Sequence, residues 1–325
     1  MMPMKELIEP ALRYRNLRIA LVVPCYNEGL TIRNVVDGFR AAIPEIQPYV
    51  FDNMSSDDTA EAARAAGATV VSVPLRGKGN VVRRMFADVD ADVYIMVDGD
   101  DTYDASAAKR LVDKLIDEKL DMVVGCRETA EEERDAAYRA GHQFGNKLLT
   151  QSVVQLFGGR FTDMLSGYRV FSRRFVKTFP SLSKGFEIET ELTVHALQLR
   201  MPCGEVKTAY GGRPDGSVSK LNTYRDGIRI LWMIFLLFKA EKPLVFFIIG
   251  FVACVALAVG LAIPLAFTYL ETGLVPRLPT AVLSSGLVMI GFLSLACGLI
   301  LDTVTMGRIE AKRLAYLQIP PPSAD

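Results

Sequence analysis

Sulfur and imidazole are scarce in this chain. Its 325 residues hold five cysteines, Cys25, Cys126, Cys203, Cys254 and Cys297, and two histidines, His142 and His195. No two cysteines form a CxxC pair, which argues against a zinc site or a disulfide framework and for a reducing cytosolic face. An excess of charge is missing as well: 37 Lys and Arg balance 37 Asp and Glu, so no bulk field draws nucleic acid. There is no Walker sequence and no GxGxxG following a strand, which disfavours kinase-like phosphate loops and dinucleotide binding. The first 18 residues mix charges and prolines, without the apolar core of a secretory signal, so the catalytic part is expected to stay in the cytosol. What the chain has in quantity is apolar residues, 50% of the total. At this length that is enough for one globular core and a further piece.

The further piece begins near Pro243. Leu244 to Leu270 and Thr280 to Leu301 contain no charged residue, and each exceeds the roughly 20 residues that cross an apolar layer. Two transmembrane helices, about 244–270 and 280–304, are predicted within 243–306, joined by a short turn over Glu271 to Pro279. Arg225, Arg229, Lys239 and Lys242 precede the first span and Arg308, Lys312 and Arg313 follow the second, whereas the turn carries only Arg277. This bias puts both termini on the cytoplasmic side of a multi-pass inner-membrane protein. Residues 219–242 mix basic and apolar side chains, including Trp232 and Phe235, as expected of a helix in the headgroup layer. Residues 307–325 form a cytosolic tail, disordered from Pro320.

Residues 19–218 read as an α/β catalytic domain behind an 18-residue extension. Ile19 to Val23, Tyr49 to Phe51, Thr69 to Val73, Val93 to Val97 and Met122 to Val124 are short apolar runs separated by helical patterns. The alternation predicts a mostly parallel, Rossmann-like sheet with helices on both faces. Ligands of such sheets bind beyond the carboxyl ends of the strands. There the sequence places Pro24, Cys25, Tyr26, Asn27 and Glu28; then Asp52 to Asp57; then Asp98, Gly99, Asp100 and Asp101. Asp98 and Asp100, two apart across a glycine, can share one hard divalent cation, Mg²⁺ or Mn²⁺. Lys78, between Gly77 and Gly79, opens a helix whose free N–H groups and close backbone suit a phosphate. Arg127, Arg139, Arg169 and Lys220 are the cations available for a second phosphate, arginine offering a two-pronged grip. Glu187, Glu189 and Glu191 are candidates for sugar hydroxyls or a general base. His142 and His195 read as structural, and Arg173 and Arg174 as surface charges.

These residues resemble glycosyltransferase family 2 with its GT-A fold, in the branch of dolichol-phosphate mannose synthases and bacterial polyprenyl-phosphate glucosyltransferases. The resemblance covers about Ile19 to Leu301. It implies that Pro24, Tyr26, Asn27, Glu28 and Asp52 hold the nucleotide, and that Asp98, Gly99 and Asp100 are the family's Asp-x-Asp metal motif. It also implies that Arg127, Arg139 and Ser166 meet the acceptor phosphate. The family's Asp-Asp-Gly-Ser-x-Asp-Gly-Thr run stands here as Asp52-Asn53-Met54-Ser55-Ser56-Asp57-Asp58-Thr59, without the second Asp and both glycines, which bears on the identity of the nucleotide. Thr102 stands where mannose synthases carry a glutamine near the metal.

The implied reaction is inverting transfer of a sugar from a nucleotide diphosphate sugar to polyprenyl phosphate in a bilayer. UDP-glucose or UDP-N-acetylglucosamine lead as donors, GDP-mannose follows, and a homo-oligomer, dimer or tetramer, packs through the hairpins. A processive polysaccharide synthase of the same fold would need more spans and a Gln-x-x-Arg-Trp motif, whereas Trp232 follows Arg229-Ile230-Leu231. A non-catalytic membrane adaptor would sit better with a degraded acidic pair.

Overall fold

In a computed structural model of the chain, residues 14, 16–128, 150–151, 153–159, 161–214 and 223–322 are described. The chain forms two compact units, one running to Met233 and resuming at Lys312, the other comprising Ile234–Ala311.

The first unit is built on a seven-stranded sheet. In chain order its strands are β1 (Ile19–Cys25), β2 (Gln47–Asp52), β3 (Thr69–Ser72), β4 (Val93–Met96), β5 (Met122–Glu128), β6 (Arg169–Ser172) and β7 (Cys203–Ala209). They lie side by side as β3-β2-β1-β4-β6-β5-β7. β1 pairs in parallel with β2 and β4, β2 with β3 and β5 with β7, while β6 runs antiparallel between β4 and β5. The five expected strands are all present and the sheet is mostly parallel, as the spacing predicts.

β6 and β7 escape the apolar-run reading for physical reasons. β6 is four residues long and opens with an arginine; β7 carries Gly204, Glu205 and Lys207 because it is a partly exposed edge. Strands covered on both faces show no alternation, and all four residues of β4 are buried.

The helices come from amphipathic spacing. α1 (Ile32–Ala42) buries Ile32, Val35, Val36 and Phe39, three and four apart. α2 (Thr59–Ala65) ends before Gly67, which takes φ +78°. α3 (Lys78–Asp88) and α4 (Ala108–Asp117) follow, then α5 (Arg173–Thr178) and α6 (Ile188–Gln198). α1 and α4 cover one face, where Leu21, Val23, Phe39, Leu111, Leu115 and Tyr168 form one core. α3, α5 and α6 associate elsewhere on the sheet around Phe86, Phe171, Phe175, Phe179 and the buried His195. The chain leaves β1 toward β2 and β3 and returns on its other side as β4. The crevice outside the carboxyl ends of β1 and β4 is therefore the switch point.

α7 (Thr223–Glu241), α8 (Pro243–Thr272) and α9 (Leu278–Leu317) complete the chain. Gly273, at φ +69°, closes α8 as a left-handed cap. α8 and α9 are long and apolar enough to cross a membrane. Only Pro243 and Ala258 of α8 and Ser284, Gly291, Gly298 and Thr305 of α9 are buried. Small residues of α9 thus face α8, Gly291 against Phe251 and Gly298 against Phe247, while many Leu, Ile and Val side chains point outward. That is the reverse of a water-soluble pair and fits association with lipid. α9 continues past the expected apolar segment to Leu317. From Lys312 on it belongs to the first unit, where Lys312 donates to Gln198 at 2.8 Å and the Tyr316 hydroxyl donates to buried Asp121 at 2.7 Å.

Candidate active site

The walls of the crevice are three strand ends cross-tied by side chains. After β1, Asn27 takes φ +54°, where asparagine is tolerated better than bulkier residues. Its amide oxygen accepts from the Ser56 N–H at 2.8 Å, and its N–H donates to the Ser55 hydroxyl at 2.9 Å. Asp52, ending β2, accepts from the Ser55 N–H at 3.2 Å. The Thr59 hydroxyl receives the N–H of buried Glu28 at 2.9 Å. Tyr26 accepts from Arg76 at 2.9 Å beneath its guanidinium. The nucleotide candidates Pro24, Tyr26, Asn27, Glu28 and Asp52 therefore line one connected wall.

Asn53 has a role the sequence did not disclose. Its amide donates to the carbonyls of Val73 and Leu75, at 2.9 and 2.8 Å, and accepts from the Gly77 N–H at 2.7 Å. An aspartate could not make the two donations. The residue that departs from the family run thus pins the turn before α3.

Lys78 and the acidic pair form the floor. The Lys78 ammonium lies 2.5 Å from Asp98 Oδ1 and 2.6 Å from Glu189 Oε1. Burial acts to lower its pKa, but Asp98 and Glu189 outweigh it and hold the ammonium charged well above its ordinary range. Burial raises the Glu189 carboxyl against the opposing pull of Lys78. Asp100 is 4% exposed. Its Oδ1 accepts from the Thr102 hydroxyl at 2.6 Å and its Oδ2 pairs with Arg213 at 2.5 Å. Burial and the neighbouring Asp98 charge raise its carboxyl, with Arg213 opposing. Gly99 must be glycine, since a Cβ would come 2.7 Å from Cys25 Sγ.

The acidic pair offers hard carboxylate oxygens on one turn, and each already attracts a cation of the protein. That donor set fits Mg²⁺ or Mn²⁺. Among the described residues no third His, Cys, Asp or Glu joins them as a ready-made metal cluster, so the other ligands would have to come from substrate and water.

Several expectations are corrected. Gly77 and Gly79 do not open the backbone to a phosphate: a Cβ on either would collide with the carbonyl of Lys184 or Ser183. The glycines admit the 181–185 loop, and of the motif it is the Lys78 ammonium that meets the acidic pair. Ser166 is fully buried and its hydroxyl donates to the Gly125 carbonyl at 2.6 Å. Arg169, also fully buried, donates to the carbonyls of Ser166 and Met164 and to the Thr193 hydroxyl. Both are withdrawn from a phosphate because they shape the turn before β6. Arg174 is no surface charge but pairs with buried Asp121.

Of the three glutamates only Glu189 meets the acidic pair through Lys78. Glu187 accepts from the N–H groups of Lys184 and Gly185, and Glu191 from those of Leu182 and Ser183, so both hold the loop. Arg127, at the end of β5, is gripped at two points by Asp163, both 2.7 Å, beside the Tyr210 ring. Arg139, Lys220 and His142 lie outside the described residues. His195 is structural as expected. Arg213, Asp163 and Tyr210 were missed. They follow or face β7, and without that strand nothing in the sequence brings them to the site.

A mostly parallel sheet with an acidic pair at its switch point is the architecture of a nucleotide-sugar transferase of GT-A type. The structural comparison agrees. Glucosyl-3-phosphoglycerate synthase from Mycobacterium tuberculosis, crystallised with Mn²⁺ and UDP-glucose, shares the fold at a TM-score of 0.55 and 24% identity, over 68% of this chain and 80% of that one. The glycosyl transferase family 2 model matches residues 20–179. Glycosyltransferase AglJ of Haloferax volcanii is 33% identical over 303 residues, 92% of this chain and 98% of that protein. Protein RfbJ of Shigella flexneri is 57% identical over 130 residues, 40% of this chain and 99% of that protein. The chain belongs to glycosyl transferase family 2.

Proposed function

We propose that this chain transfers a sugar, with inversion, from a nucleotide diphosphate sugar to the phosphate of a polyprenyl lipid. The observation that carries the reading is the Asp98–Asp100 pair at the carboxyl end of β4, ringed by Lys78 and Arg213, in a chain that continues into two apolar helices. UDP-glucose and UDP-N-acetylglucosamine are the favoured donors and GDP-mannose the next. The manganese and UDP-glucose of the M. tuberculosis structure support this order.

Asp98 and Asp100 would hold Mg²⁺ or Mn²⁺, which when bound neutralises charge on the departing diphosphate. The chain's own residues do the rest. Tyr26, Asn27 and Asp52 form the wall on which the nucleotide lies, and Lys78 bridges Asp98 and Glu189. Glu189 is the glutamate placed to meet sugar hydroxyls. Arg127 lies in the outer part of the same strand edge as the acceptor-phosphate candidate, with Arg139 and Lys220 retained from the sequence. A phosphate monoester with a second pKa of about 6 is already ionised at neutral pH. Its oxygen therefore needs positioning and charge neutralisation more than a base. The basic residues flanking the spans favour a cytosolic catalytic unit with both termini on that side. A dimer or tetramer through the hairpins is part of the same reading, and crosslinking in membranes that yields only monomer would remove it.

The test is transfer of radiolabelled sugar from a panel of UDP- and GDP-sugars to undecaprenyl phosphate in detergent. Asp100→Ala and an EDTA control accompany the wild type. One donor should label the lipid, and both controls should reduce the label at least about a hundredfold, as loss of charge stabilisation at a reacting centre does. Labelling that survives both controls, or no labelling by any donor while nucleotide still binds, would count against the reaction and bring forward the adaptor reading.

A further inference from the structure

Both acidic side chains of the metal motif are already compensated by cations of the protein, but not in the same manner. Lys78 sits in a closed arrangement: its side chain is 10% exposed and two carboxylates, Asp98 and Glu189, hold it. Arg213 is more open, at 27%, and reaches Asp100 Oδ2 at 2.5 Å from a segment outside the regular elements. The residues just before it tell how that segment is held. Gly211 is tied by its N–H to the Thr102 carbonyl at 2.9 Å, whereas among the described residues a Cβ on Gly211 or Gly212 would meet nothing within 4 Å. The anchor is thus at Gly211, two residues before Arg213, with Gly212 between them.

The other oxygen of Asp100 accepts from Thr102, a residue two positions along the same turn. A cation approaching Asp100 must therefore displace either a short local hydrogen bond or Arg213. The guanidinium is the group with somewhere to go. A nucleotide diphosphate held near the same cation would be a better partner for it, because planar guanidinium suits phosphate oxygens.

We infer that Arg213 is a resident counter-ion that occupies Asp100 in the ligand-free chain, yields it to the divalent metal, and transfers its pairing to the diphosphate that arrives with that metal. The inference rests on the reading of the site given above. It makes Arg213 a positioning residue with two opposed effects. It competes with the metal when no nucleotide is present and assists nucleotide binding when the metal is in place. Like charges near one carboxylate repel, so removing the guanidinium strengthens the bare metal site. Removing it also takes a phosphate partner from the ternary complex.

The experiment is a Mn²⁺ titration followed by electron paramagnetic resonance on the full chain in detergent, with and without UDP. Wild type is compared with Arg213→Gln and Arg213→Lys. Arg213→Gln should bind Mn²⁺ alone about three- to tenfold more tightly, the range expected of one partly screened charge. In the presence of saturating Mn²⁺ the same variant should bind UDP about tenfold more weakly, and Arg213→Lys should fall between it and wild type on both readouts. A purely structural arginine would weaken both or neither. If Arg213→Gln leaves Mn²⁺ affinity unchanged or lowered while the wild type binds the ion, the counter-ion exchange is wrong and the site reading stands. If the wild type takes up no Mn²⁺ even with UDP, the site reading fails and the exchange with it.

Discussion

At the scale of single residues, burial separates two kinds of ionisable group in this chain. Around the crevice two cations, Lys78 and Arg213, pair with three carboxylates, Asp98, Glu189 and Asp100, and a buried charge whose partner is removed is costly. His195 is the opposite case. It lies 3% exposed against the rings of Phe175 and Phe179, its Nδ1 has no partner among the described residues, and its Nε2 is 3.3 Å from the Thr178 hydroxyl. Burial, with Lys312 adding to it, drives its pKa down to about 3 from 6.5. The unfolded chain therefore binds a proton that the folded one refuses between those values. Stability is full above about pH 6.5 and falls as the pH drops toward 3, by at most about 1.4 kcal/mol per pH unit. Thermal unfolding of His195→Phe in detergent should match wild type within about 1 kcal/mol at pH 8 and lose less between pH 6.5 and 4. Superimposable pH profiles for the two proteins would refute this account of the imidazole.

At the scale of elements, the start of α3 and the loop before α6 behave as one device. Glu187 and Glu191 hold the loop by its N–H groups, Gly77 and Gly79 let its carbonyls press on the helix start, and Lys78 then reaches Glu189 across the join. A methyl group at position 79 would lie 2.6 Å from the Ser183 carbonyl carbon and 2.9 Å from the Lys184 nitrogen. Neither backbone atom can step aside as a flexible side chain would. Gly79→Ala should destabilise the first unit by about 1 to 3 kcal/mol, the usual range for overpacking. It should also lower sugar transfer by about tenfold or more, because Lys78 and Glu189 separate. A variant with wild-type melting and wild-type transfer would show that the loop is not held in this way. The glycine pair was visible in the sequence, but its spacing suited a phosphate as well as a neighbouring backbone. Only the fold distinguishes them.

At the scale of the whole molecule, the second unit shows how an apolar chain chooses its inner face. Ser284, Gly291, Gly298 and Thr305 of α9 recur every seventh residue; the first three face α8, with the Ser284 hydroxyl donating to the Ala258 carbonyl at 2.9 Å, and Thr305 donates to the Ala240 carbonyl of α7 at 3.1 Å. Between helices in lipid there is little hydrophobic drive, so close approach over small residues supplies the packing. A Cβ at Gly298 would already stand 2.9 Å from Phe247 Cβ, while Gly307 has nothing within 4 Å. With cysteines placed at positions 258 and 284 of a cysteine-free chain, Gly298→Leu should slow oxidative crosslinking several-fold. Gly307→Leu should leave the rate near that of the parent. Equal rates in both would mean that the seventh-residue stripe does not set the helix pair.

Much of this protein follows from local chemistry that a linear reading can follow. Uncharged runs longer than a bilayer is thick determine α8 and α9 whatever else the chain does. Apolar runs closed by Asp52 and by Asp98 to Asp100 determine that the acidic groups stand at strand ends, because a buried strand cannot hold them. Tertiary structure decided everything that depends on which distant segment comes to lie alongside. Arg213 reaches Asp100 only because β7 adds to the far side of β5. Arg169 and Ser166 turn inward because an antiparallel strand is inserted between β4 and β5. Gly77 and Gly79 serve a loop more than a hundred residues away in the chain. Strand addition and close backbone approach are long-range events, set by packing between segments whose own sequences carry no mark of their partner.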